Sequence, residues 1–219
     1  MNRILNAVKL DFYAGKGTLV LSPVMFIIGI VVGVAAKQPV FTSLFVMLFG
    51  VVFGGMVFSI HEKNHTEKLY GTLPLTKTEM VVSRYLYALT IGIVNIIIAS
   101  VLSKAVSAFT NIPVDPVLYL GALAISFVYY CFAVGISFAV FFKLGFAKAN
   151  IFTMLPMYLI VIAFMLISRK TDLASKLTGF INFFTDNQYL IPIFGIVGGL
   201  ILLTVSALIA NMIYKKKEL

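Results

Sequence analysis

Charged residues are scarce in this sequence: they make up 11% of its positions, whereas 61% of the positions are hydrophobic. A soluble domain carries about 25% charged residues, because its surface must be covered by groups that water can solvate. The mean hydropathy of +1.05 agrees with this imbalance. The composition excludes a soluble globular fold and indicates a membrane protein that crosses the bilayer several times.

Cysteine is almost missing as well. The one cysteine, Cys131, lies in an apolar stretch, so an internal disulfide framework and a cysteine-based metal site are both excluded.

No Asp or Glu lies inside the long apolar stretches, where ion-coupled transporters usually place ionisable groups. The net charge of +9 is scattered between apolar stretches, which is typical of membrane topology rather than of nucleic-acid binding.

Long apolar stretches dominate what is present. About 20 apolar residues are needed for a helix to span the hydrocarbon core. Six stretches without Asp, Glu, Lys or Arg reach this length, at residues 17–36, 38–60, 85–103, 116–142, 149–168 and 187–214. Lipid offers no hydrogen-bond partner to the backbone, so each stretch should be helical. We therefore predict an all-α polytopic membrane protein with six transmembrane helices in a single transmembrane domain, residues 1–219.

The basic residues predict the orientation of these spans. Of the 17 Lys and Arg residues, 12 fall at the termini and in the links at 61–84 and 143–148. Basic residues concentrate on the cytoplasmic side of a membrane. Both termini and the link at 61–84 should therefore be cytoplasmic.

Two segments are amphipathic without being spans. In residues 1–16, helical spacing places apolar residues on one face (Met1, Ile4, Leu5, Val8, Phe12) and polar ones on the other (Asn2, Asn6, Lys9, Tyr13, Lys16). This pattern predicts an interfacial helix on the cytoplasmic leaflet, either a simple anchor or a link between a partner subunit and the first span. Residues 173–184 predict short amphipathic outer helices between spans five and six.

Small and polar residues in the spans indicate how the helices pack. Glycines recur four residues apart at Gly29/Gly33, Gly50/Gly54 and Gly195/Gly199. Such pairs let helices approach closely, either within the chain or between subunits. Asn95 lies in the middle of the third stretch, and its position favours an interhelical hydrogen bond over a substrate contact.

The polar link at 61–84 begins with His61-Glu62-Lys63-Asn64-His65. On a helix, this H-E-x-x-H pattern places two imidazoles on one face for zinc, with the glutamate as general base. A catalytic site needs a third protein ligand, and both histidines of the chain are already used. The alternative is a helix end that emerges into water with solvated His and Glu side chains.

The second half of the link has turn and capping signals. Gly71 and Pro74 break a helix, and Thr76 with Glu79 matches a capping box that opens the helix leading into the third span. Leucine and tyrosine side chains exposed in such a charged loop predict a docking surface.

The link also contains the spacing "acidic, L-P-apolar, V-V-x-basic-Y-L" at Glu62, 73–75 and 81–86, after an N-terminal Lys9-Leu10-Asp11. With these motifs and six spans, the chain resembles ABC-2-type permeases, the membrane subunits of ATP-driven exporters. The resemblance covers nearly the whole chain. Within that family the sequence is most similar to small permeases that export bacterial peptide toxins and antimicrobial peptides.

The resemblance implies that the link forms a coupling helix docked on a separate ATPase subunit. The residues that it places in this contact are Glu62, Lys63, Glu67, Leu69, Tyr70, Leu73, Pro74 and Leu75. The chain lacks a phosphate-binding loop of the G-x-x-x-x-G-K-[ST] kind, so ATP and Mg²⁺ would be bound by the partner ATPase. This chain would then have no catalytic residue and no cofactor of its own.

The same resemblance implies a second permease, identical or related, in the bacterial plasma membrane, with membrane lipid around both. An apolar path between them would suit amphipathic peptides or lipid-like substrates. Two other functions stay open from the sequence. One is a membrane-embedded zinc metalloprotease using His61, Glu62 and His65, and the other is a non-transporting scaffold or immunity protein.

Overall fold

The computed structural model describes residues 2–64, 75–112, 115–149, 187–188 and 190–216. These ranges contain α-helices and no strand. The helices are α1 (Asn2–Leu19), α2 (Ser22–Ala35), α3 (Pro39–Lys63), α4 (Lys77–Thr110), α5 (Pro116–Leu144), α6 (Phe146–Ala149) and α7 (Leu190–Lys215).

Four of these helices are long and apolar enough to cross a bilayer: α3, α4, α5 and α7. The shortest of them, α3, has 25 residues, which at about 1.5 Å per residue exceeds the ~30 Å of the hydrocarbon core. The protein is therefore an all-α, multi-pass membrane protein. The predicted fifth span at 149–168 and the amphipathic segment at 173–184 lie almost entirely outside the described residues, so six spans remain a prediction.

The first predicted span, residues 17–36, is divided in the structure. Its first three residues belong to α1, and α2 begins only at Ser22, after a bend of 73°. Pro23 lies in the first turn of α2, where its missing N–H is tolerated, whereas a continuous helix would need that donor. Counted together, α1 and α2 would supply a fifth, broken span.

The spans pack around α5, which contacts α3, α4 and α7. Aromatic rings fill the centre of this core, with the Phe58 ring 4.9 Å from the Phe138 ring and 5.1 Å from the Phe142 ring. One buried cluster in the described part of the chain thus contains residues of all four long helices.

The glycine pairs lie at helix contacts inside the chain. A side chain at Gly33 would meet Thr42 of α3, and one at Gly50 would meet Asn95 of α4. Gly195 faces Ala124 of α5 so closely that an added Cβ would lie 2.6 Å from its Cβ. The spacing left open whether these glycines pack helices within the chain or between subunits. In the structure, each of these three glycines contacts a neighbouring helix of the same chain.

The prediction for Asn95 needs correction. Its side-chain amide donates to the carbonyl of Ile91, one turn earlier in the same helix, at 2.9 Å. Asn95 is buried against Gly50 of α3. The hydrogen bond is thus within α4, since a short polar side chain in a helix can reach a carbonyl four residues back.

Candidate functional site

Helices α1, α3, α4, α5 and α7 converge at one end of the molecule. This end contains the last turn of α3, the first turns of α4 and the short α6, all of which the charge pattern predicts to be cytoplasmic. The capping box at the start of α4 is confirmed: Glu79 N–H donates to Thr76 Oγ1 at 3.2 Å, and Thr76 N–H donates to Glu79 Oε2 at 2.8 Å. The polar link therefore ends in a well-defined helix start.

A buried carboxylate, Asp11 of α1, lies at the centre of this end. Only 1% of Asp11 is exposed. Its Oδ1 lies 3.1 Å from His61 Nε2 of α3, and its Oδ2 lies 3.3 Å from Arg84 Nε of α4. One carboxylate thus connects three helices, including the two that flank the polar link.

The N-terminal helix packs on its own chain, which neither interpretation of its amphipathic pattern included. Val8 and Phe12 lie against a cluster of α3 and α4 side chains, and the Phe12 ring is 4.8 Å from the Tyr87 ring. Leu5, expected on the apolar face, is 49% exposed, whereas the charged Asp11 is buried. The face of α1 that packs on the chain therefore includes the charged Asp11 as well as the apolar Val8 and Phe12.

Glu62, at the end of α3, contacts the next predicted cytoplasmic link. Its Oε2 accepts hydrogen bonds from the backbone N–H groups of Phe146 and Ala147, at 2.5 and 2.9 Å. These residues open α6, just after Gly145, whose φ of +80° turns the chain sharply. A side chain from one link thereby holds the backbone of the other.

A cavity of about 50 Å³ lies beside these contacts. Arg84 borders it and lies over the Phe58 ring, 4.8 Å from guanidinium carbon to ring centroid. The residues that line it are Phe58, His61, Glu62, Met80, Arg84, Phe141, Phe142, Gly145, Phe146 and Tyr214. The cavity has room for about one or two water molecules and is mostly aromatic, so it does not have the size of a substrate site.

The structure describes three of the predicted coupling residues. Glu62 is engaged as above, Lys63 is exposed, and Leu75 is partly buried. The others, Glu67, Leu69, Tyr70, Leu73 and Pro74, lie outside the described residues. The structure thus describes both edges of the proposed docking surface.

Sequence reasoning missed the roles of Asp11 and Arg84. A signal existed, because Asp11 is the only acidic residue before Glu62. If the apolar side of the helix is buried, a carboxylate there needs a basic partner, because burying an unpaired charge costs much free energy. The partners lie 50 and 73 residues away in sequence, so only the packing of three helices identifies them.

The zinc hypothesis gains no third ligand from the described part of the chain. No group of three or more His, Cys, Asp or Glu side chains that could hold a metal ion occurs there. His61 is paired with Asp11, and His65 lies outside the described residues.

Comparison with known proteins points to one family. The family model described as "ABC-2 family transporter protein" matches residues 6–215, nearly the whole chain. No curated protein matches the sequence.

Proposed function

Because the chain belongs to the ABC-2 family of transporter proteins, we propose that it is the membrane-spanning permease subunit of an ATP-driven exporter. The observation that carries the proposal is the match over residues 6–215, which contains every long apolar helix described above. ATP and Mg²⁺ would be bound by separate ATPase subunits. A second permease, identical or related, would complete the translocation path in the bacterial plasma membrane.

The link between α3 and α4 is the proposed ATPase contact. It joins two long helices that pack on each other, so a force on the link moves both. Lys63 and Leu75 supply an exposed charge and an apolar side chain at its two edges. Glu67, Leu69, Tyr70, Leu73 and Pro74 complete the proposed surface.

Glu62 has a different role in this proposal from the one that the resemblance implied. Since its carboxylate is held by the backbone of Phe146 and Ala147, it joins the two links instead of facing a partner. ATPase closure would then move α3, α4 and the start of α6 together. Such rigid-body motion of packed helices is a common way to switch a transporter between two states.

The proposed substrate is an amphipathic peptide or a lipid-like molecule. Its support is compositional: the described helices expose many Ile, Leu, Val and Phe side chains and no Asp or Glu at membrane depth. A path lined in this way would select substrates by apolar contact, because it offers few fixed polar partners.

Co-purification of the ATPase tests the docking surface. Replacing Leu73 and Leu75 with Asp places two charges in the proposed contact, so the ATPase should be lost from the purified complex. Phe109→Asp is the matched control, because Phe109 is 88% exposed and lies at the other end of α4. Normal ATPase recovery with the double variant would refute the docking assignment, and hydrolysis of a substrate by the isolated chain would refute the permease function.

A further inference from the structure

The buried ion cluster of Asp11, His61 and Arg84 has no role in the docking contact proposed above. It lies where α1 contacts the end of α3 and the start of α4. Asp11 and its partners are all buried, with at most 7% of any of the three side chains exposed. Removing one partner from a buried ion pair is strongly destabilising, because it leaves an uncompensated buried charge.

Around the ion cluster, α1 packs closely against the helical bundle. Phe12 stacks edge-on against Tyr87, one turn from Arg84 along α4. A Cβ at Gly15 would lie 3.0 Å from the Tyr87 hydroxyl, so the helix approaches closely at that position. Position 11 therefore lies at the centre of an extended contact along α1.

We propose that Asp11 is a positioning residue that couples α1 to the ATPase-driven motion. The inference rests on the permease function proposed above. The ends of α3 and α4 receive the force at the link, and the ion cluster forces α1 to follow them. Because α1 joins α2 through a 73° bend, displacement of α1 along the membrane surface would tilt α2. The motion would thereby reach the first span as well as the second and third.

The two cationic partners of Asp11 are not equivalent. An arginine side chain is always charged in proteins, whereas a histidine side chain changes charge between about pH 5 and 8. If Arg84 loses its charge, protonation of His61 can still neutralise Asp11 in mildly acidic solution. If Asp11 loses its charge, protonation of His61 cannot compensate, because it adds a positive charge and not a negative one. In the described part of the chain, the ionisable groups near His61 are Asp11 from α1 and the residues Glu62, Arg84 and Tyr214 that line the same cavity. Tyr87 of α4 lies near Asp11 and Arg84.

Thiol labelling measures whether α1 is held in place. A cysteine at Ala7, which is 5% exposed, reports docking, and a cysteine at Tyr13, which is 79% exposed, is the reference on the same helix. The native Cys131 is buried, so the chain without an added cysteine gives the background. The ratio of the two labelling rates is measured in nanodiscs at about pH 6 and about pH 8. Because burial shifts the pKa of a thiol, each variant's ratio is compared with the wild-type ratio at the same pH.

Three variants give different expected ratios. Asp11→Asn should raise the relative labelling of position 7 by roughly tenfold at both pH values, because a buried cation then loses its carboxylate partner. Arg84→Gln should raise it at about pH 8 and raise it much less at about pH 6, because protonation of a histidine beside Asp11 would supply a positive charge there. Arg84→Lys keeps a positive charge, so its ratio should stay near the wild-type ratio at both pH values.

The functional arm uses the complete ATPase–permease complex in proteoliposomes. Asp11→Asn should retain the ATPase, since the link is intact, but lose most of the permease-dependent stimulation of ATP hydrolysis. Lys9→Gln, an exposed change on α1, is the matched control. Wild-type labelling ratios in Asp11→Asn, or equal pH profiles for Arg84→Gln and Arg84→Lys, would overturn the inference. A wild-type chain that binds no ATPase would overturn the permease function itself.

Discussion

At the scale of single residues, the chain depends on small side chains where helices meet. Gly195 of α7 faces both the Cβ and the backbone of Ala124, at 2.6 and 3.2 Å from where its own Cβ would be. Backbone cannot rotate away as a flexible side chain can. Gly198, on the same helix, has nothing within 4 Å of the corresponding position.

Gly195→Ala should therefore destabilise the protein by about 1–3 kcal/mol, the usual cost of overpacking a filled interface. Gly198→Ala should be neutral or slightly stabilising, because alanine has the better helix propensity. Thermal unfolding of both variants in detergent compares them directly. Equal midpoints for the two variants would show that α5 and α7 can separate without cost, contrary to the packing described.

The start of α4 is the first feature at the scale of elements. Thr76→Ala removes the side-chain acceptor of the capping box, and N-cap losses cost about 1 kcal/mol. Amide hydrogen exchange in the first turn of α4 should rise by about fivefold as a result. Thr78→Ala changes the same turn but keeps the box, so its exchange should stay close to that of the wild type.

The contact between the two links is the second such feature. Glu62→Ala deletes the carboxylate that accepts from Phe146 and Ala147. Hydrogen bonds to charged groups contribute about 1.5–3 kcal/mol, so exchange of these two amides should accelerate by roughly tenfold or more. Lys63→Ala is the control, because Lys63 is adjacent and exposed. Unchanged exchange in Glu62→Ala would mean that α6 is held by other contacts, and its proposed part in coupling would fail.

At the scale of the whole molecule, the orientation in the membrane is the main prediction. Gln38 precedes α3 and Asn64 follows it, and both are exposed. The distribution of Lys and Arg places Gln38 outside and Asn64 in the cytoplasm. A membrane-impermeant thiol reagent should label Gln38→Cys in intact cells and Asn64→Cys only after permeabilisation. The opposite result would place the proposed ATPase contact on the wrong side of the membrane.

The architecture follows largely from composition. Lipid forces each long apolar stretch to satisfy its own backbone hydrogen bonds, so the helices at α3, α4, α5 and α7 were predictable without tertiary information. The capping box at Thr76 and Glu79 was predictable for the same reason, since both of its hydrogen bonds are local. The bend between α1 and α2 lies next to Pro23, a residue type that can kink a span.

Only the tertiary structure decided which side chains meet across helices. The rotation of each helix about its axis depends on all of its neighbours together, and no local pattern encodes it. For this reason Asp11 was found beside His61 and Arg84, Glu62 was found on the second link, and Gly195 was found against Ala124. The sequence by itself determined which segments form apolar helices, because lipid offers the backbone no hydrogen-bond partners and only a helix satisfies them within one segment. The tertiary structure decided which side chains hold the helices together near the link between α3 and α4. Those contacts join residues that are far apart in the chain, so no local pattern predicts them.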